Sequence, residues 1–72
     1  MNIKITTEFI KLDQLLKFSG IADNGSFAKE IILEGLVKYN GEVCTMRGKK
    51  VYPGDKVLIE IPDELTEEII VE

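Results

Sequence analysis

The sequence contains no histidine and a single cysteine, Cys44, among its 72 residues. Without histidine the chain has neither the usual general base of catalysis nor the commonest metal ligand. One cysteine excludes an internal disulfide framework and a zinc site built on cysteine pairs. Cys44 therefore reads as a small apolar filler. No apolar run approaches the roughly 18 residues of a membrane helix. The N-terminus lacks the basic-then-apolar pattern of a secretory signal. A soluble cytoplasmic protein is expected. There is no internal repeat and no low-complexity tract. The glycines form neither a Gly-x-Gly-x-x-Gly nor a Gly-Lys-Ser/Thr phosphate cradle. Glu30 and Glu34 lie four apart on one helix but have no base or cleft, so they read as a solvated face. These absences point away from an enzyme, and no cofactor or metal is expected.

A chain this short forms one domain, residues 1–72, and buries only about 60% of the surface its unfolded form exposes. Its stability should be on the order of 5 kcal/mol. A deep pocket is hard to build on so small a core, which favours a function carried on the outer surface. The formal net charge is −4, but the charges are unevenly placed. Residues 1–59 hold nine bases against seven acids, a net charge of +2. Residues 60–72 hold six acids (Glu60, Asp63, Glu64, Glu67, Glu68, Glu72) and no base. A mildly basic body, with its core over 11–61, precedes an acidic segment, 62–72. Because charges beyond a Debye length of about 10 Å are largely screened, the local field matters more than the total.

Residues 2–6 alternate apolar and polar and predict a short strand. Leu12, Leu15 and Leu16 share a helical face, which predicts a first helix over Leu12–Ser19 capped by Gly20. Asp23-Asn24-Gly25 is a turn, with Asn24 or Ser26 as cap of the next helix. Phe27, Ala28, Ile31 and Ile32 share a face, which predicts a second helix over Ser26–Glu34 stopped by Gly35. The period then changes to two. Val37 to Cys44 around Asn40-Gly41 gives a hairpin with a type I′ turn, Tyr39 opposite Glu42 and Val37 opposite Cys44. Residues 46–50 are a basic loop and Pro53-Gly54-Asp55 a further turn. Val57, Ile59 and Ile61 mark a later strand. Ile69 to Val71 is expected to add an edge strand or to fray.

This order of pieces resembles the S4 domain, whose core is also called the αL motif. The resemblance rests on Lys11-Leu12-Asp13, Leu16, Gly20, Ser26-x-Ala28-Lys29, Ile32, Gly35-x-Val37, Asn40-Gly41 and Pro53-Gly54-Asp55. Each piece is weak alone; their order and spacing are the specific signal, and they cover residues 11 to about 60. The chain is most similar to the small stand-alone bacterial S4 proteins. The resemblance implies an α+β fold, a two-helix αL motif packed on a small, mainly antiparallel β-sheet. It also implies binding to structured RNA, ribosomal or transfer, in a ribosome-associated or other ribonucleoprotein setting. A monomer without membrane contact is expected.

The family's contact surface is the exposed side of the two helices with nearby basic loop residues, which maps onto Lys11, Ser26 and Lys29. Gln14, Phe18, Gly25 and Leu33 stand where many members carry Lys or Arg. Lys17 on the first helix and Arg47, Lys49 and Lys50 in the loop add charge. Cations neutralise phosphates and release condensed counterions, and arginine's planar fork makes paired hydrogen bonds to phosphate. Lys4, Lys38 and Lys56 read as solvating charges. Phe18 is expected to pack between helix and sheet, and Leu33 to cover the helix–sheet junction or meet a protein.

Two other functions fit the size. A protein-interaction module would dock on a ribosome or repair complex through Leu33, Phe18 or the acidic segment, without direct RNA contact. A sulfur-carrier or ubiquitin-like protein needs a C-terminal Gly-Gly, whereas this sequence ends Ile-Ile-Val-Glu.

Overall fold

The computed structural model describes residues 1–72. The elements in chain order are β1 (Asn2–Ile3), β2 (Ile10–Lys11), α1 (Leu12–Phe18), α2 (Gly25–Leu33), β3 (Val37–Tyr39), β4 (Glu42–Val43), β5 (Lys50–Val51), β6 (Lys56–Ile61) and β7 (Leu65–Val71). The fold is α+β, with two helices and a mainly antiparallel sheet.

Leu12, Leu15 and Leu16 form the buried face of α1. The chain leaves that helix through Gly20, whose φ of +85° is easily reached only without a Cβ. Asn24 then caps α2, its side chain accepting the N–H of Phe27 at 2.8 Å. Ala28, Ile31 and Ile32 bury against α1 and the sheet, with Phe27 half-buried beside them. Each helix lies within a residue of its expected span at either end.

The large sheet has the order β1-β7-β6-β3-β4. Asn40 (φ 49°) and Gly41 (φ +91°) make the left-handed turn between β3 and β4. Tyr39 faces Glu42, and the Cys44 N–H donates to the Val37 carbonyl at 2.9 Å. Val37, Val57, Ile59, Ile69 and Val71 are buried with the helix leucines and isoleucines in one core cluster. Cys44 is half-buried against that cluster, where its small size suits the space.

Three features depart from expectation. The first strand contributes only Asn2–Ile3 to the ladder, although the Ile5 N–H continues the contact to the Glu72 carbonyl at 2.9 Å. The second concerns the C-terminal strand, expected as a short edge or frayed end. It is seven residues long and lies inside the sheet, antiparallel to β6 and parallel to β1. Its inward row runs Leu65, Glu67, Ile69, Val71, so a carboxylate at the second position hides the alternation. Glu67 is tolerated there because its side chain stays 31% exposed, and it also meets the N-terminal ammonium at 3.3 Å. The third feature is an unforeseen two-stranded ribbon of β2 and β5. Two-residue strands are too short to carry a period.

Candidate nucleic-acid interface

The β2·β5 ribbon organises the basic residues. Its register sets Lys11 directly opposite Lys50 and Ile10 opposite Val51. Directly opposed residues project on the same side of a ribbon, so two exposed ammonium-bearing chains share one face. The loop before β5 turns back on itself, the Lys49 N–H donating to the Met46 carbonyl at 3.1 Å. Its carbonyls meet the start of α1. The Leu12 N–H donates to Lys49 O at 2.9 Å and the Asp13 N–H to Arg47 O at 3.0 Å. Those N–H groups have no partner inside the helix, and Lys11 at the cap position supplies no side-chain bond. The loop is therefore the cap of α1. It holds Lys11, Arg47, Lys49 and Lys50 around one helix end.

Lys17, Ser26 and Lys29 form a second group. Lys17 lies in the last turn of α1, and its stem passes 3.9 Å from where a Cβ on Gly25 would stand. Gly25 opens α2, with Ser26 next to it and Lys29 one turn on, all of them exposed. Helix α1 separates the two groups: Lys17 stands six residues after the Lys11 cap, about 9 Å of helical rise. The chain's two ion pairs are the N-terminus with Glu67 and Lys38 with Glu60, so none of these six cations has a carboxylate partner.

Phe18 is a correction. It does not pack between helix and sheet but is 65% exposed. It borders a shallow depression with Lys4, Ile5 and Ile10. The core behind α1 is already filled by Leu15 and Leu16, both fully buried. Leu33 likewise does not cover the helix–sheet junction, being 55% exposed on α2 beside Lys29, Glu30 and Glu34.

Sequence reasoning missed the aromatic supports of the loop. The Lys49 ammonium lies 4.9 Å from the centre of the Tyr39 ring. The Lys50 ammonium lies 4.8 Å from that of Phe9, which itself stacks obliquely on Tyr52 at 5.9 Å. Aromatic faces attract cations and restrict their motion. The Tyr39 hydroxyl donates to Asp55 Oδ2 at 2.5 Å. Asp55 also accepts from the Tyr52 N–H at 2.9 Å and the Asn40 amide at 3.2 Å. The Asn40 oxygen in turn accepts the Lys56 N–H at 2.8 Å. The hairpin turn and the Pro53-Gly54-Asp55 turn are thus one polar unit. The bond to Asp55, then burial, pushes the Tyr39 hydroxyl up to about 12. Burial raises the Asp55 carboxyl, but its bonds from Tyr39, Tyr52 and Asn40, with Lys49 nearby, outweigh that and hold it below the usual carboxylate range. Both turns are legible in the sequence; their pairing across fifteen residues is not.

The S4 domain family matches residues 3–69 of this chain. The chain belongs to the S4 domain family. Over 58 residues it is 43% identical to a probable ribosome maturation protein, RlbA, of Bacillus subtilis (strain 168). That alignment takes in 81% of this chain and 82% of the relative.

Proposed function

We propose that this chain is a non-enzymatic, cytoplasmic RNA-binding protein that attaches to structured RNA of the ribosome. On this reading Lys11, Arg47, Lys49 and Lys50 are the main phosphate contacts, and Lys17, Ser26 and Lys29 extend them along the helices. The observation that carries the reading is the opposed Lys11–Lys50 pair. Like charges directly across a ribbon are destabilising, and no carboxylate of the chain pairs with either lysine. A phosphate between them removes the repulsion. Family membership and the relative's description as a probable ribosome maturation protein support the ribosomal setting.

Replacing Arg47 and Lys50 by Gln should weaken binding to a ribosomal RNA hairpin by at least ten-fold at low salt. Lys38→Gln, which removes a lysine already paired with Glu60, should leave it nearly unchanged. Equal effects from both would refute the assignment. The exposed Phe18 and Leu33 favour a second reading, a module that docks on a ribosomal or repair protein. In that case Phe18→Ser or Leu33→Ser would abolish ribosome association, while the Gln variants would keep it.

A further inference from the structure

A depression of about 240 Å³ lies between the β3–β4 hairpin and the basic loop. The Tyr39 ring, Val43 and Met46 supply its apolar walls, and Cys44 lies among them. Val43 is 57% and Met46 65% exposed, so two large apolar side chains stand together in water beside a cationic loop. Lys49 and Glu42 are the two charged residues that line it.

The size admits little. At ~30 Å³ per water the space displaces about eight waters, and it falls below the ~300 Å³ where pockets for whole small ligands begin. One flat ring system fits. We propose, on the RNA-binding reading given above, that this depression receives a single unpaired base of the bound RNA. Lys49 is shared between depression and loop, so a strand with a phosphate on Lys49 brings its neighbouring base to the depression. Glu42 repels phosphate and can only accept hydrogen bonds, so it turns the backbone toward Lys49 and suits a base edge bearing an amino group. A peptide side chain would fit the volume, but Arg47 follows Met46 directly in the chain and Lys49 lines the depression, so the apolar patch borders cations that suit a phosphate backbone. The exposed Phe18 belongs to a different depression. The preferred RNA is therefore one with a bulged or looped-out nucleotide, not an uninterrupted duplex.

Three RNA hairpins test this: a continuous stem, the same stem with one bulged cytidine, and the same with an abasic bulge. Fluorescence anisotropy should give roughly ten-fold tighter binding for the cytidine bulge, the low end of what one base gains by stacking on an aromatic ring. The abasic bulge should show no gain. Met46→Ser should erase the gain and leave affinity for the continuous stem and its salt dependence unchanged, which also shows that the variant is folded. Alkylation of Cys44, the sole cysteine, should be slowed by the cytidine-bulged RNA alone. Equal affinity for all three RNAs, with steep salt dependence, would overturn the base site and leave the phosphate reading standing. A gain that survives Met46→Ser with Cys44 unprotected would place the base elsewhere and overturn it too. No salt-sensitive binding to any hairpin would bring down the RNA reading and this proposal together.

Discussion

Gly35 leaves α2 with φ at +78°. A Cβ added there would stand 3.5 Å from Val43 Cγ1, an ordinary contact. The cost of Gly35→Val is therefore backbone strain more than collision. It should be about 1–2 kcal/mol, the penalty of holding an L residue in the left-handed region, read as a lower urea midpoint. That much is legible locally, since the helical apolar pattern stops at this glycine. The Tyr39–Asp55 bond is a different case, because nothing in either residue's neighbours announces the other. Its consequences appear in pH. Tyr39 is raised to about 12 from 10.0, so the folded state holds its proton more tightly than the unfolded. The stability it contributes is complete below about pH 10 and is lost as pH rises toward 12. Asp55 is lowered, so its contribution is complete above the ordinary aspartate pKa near 3.9 and is lost as pH falls below that. Urea midpoints should be flat between these limits and fall on both sides. Tyr39→Phe should flatten the alkaline fall and cost about 1.5–3 kcal/mol at neutral pH, the range for a hydrogen bond to a charged group. An alkaline fall of unchanged size in that variant would contradict the assignment.

The elements differ in how openly the sequence declares them. The helices and the β3–β4 hairpin combine a clean period with explicit stops at Gly20, Asn24, Gly35 and Asn40-Gly41. The C-terminal strand was obscured because Glu67 and Glu68 interrupt its apolar alternation and Asp63 carries the turn at φ 60° in place of a glycine. Acidic composition there concealed a structural strand whose Ile69 and Val71 are buried. Ile69→Ala should cost about 2–5 kcal/mol, as for other large-to-small changes in cores. Against a total on the order of 5 kcal/mol, that leaves much of the protein unfolded at room temperature, checked by circular dichroism. The exposed acids of the same segment act differently. Glu64 and Glu68 are not in either ion pair of the chain, whereas Glu67 is. Replacing Glu64 and Glu68 by Gln should keep the fold and raise RNA affinity at low salt, by at most about five-fold per charge. The gain should vanish in high salt. A fall in affinity would make that face part of the binding surface.

Over the whole molecule, net charge gives the wrong impression. The total is −4, yet the bases lie in residues 4–56 and six of the thirteen acids in 60–72. Folding sharpens this asymmetry through the β2·β5 ribbon and the loop cap of α1, which bring Lys11 to Arg47, Lys49 and Lys50. The candidate residues themselves were readable from the sequence as cations off the apolar stripes. Their gathering around one helix end was not, because it depends on a ribbon of two-residue strands and on main-chain bonds. The central claim is that these four cations neutralise RNA phosphates, and counterion release measures it directly. The affinity for a structured ribosomal RNA fragment should be followed from low to high salt for the parent and for the Lys11, Arg47, Lys49 and Lys50→Gln quadruple variant. With about four phosphate contacts, log K should fall with log[salt] at a slope of about −3 to −4 in the parent, at roughly −0.7 per contact on single strands and −0.9 on a duplex. The quadruple variant should bind weakly and lose most of that slope. Tight binding with a slope near zero in the parent, or an undiminished slope in the variant, would contradict the account.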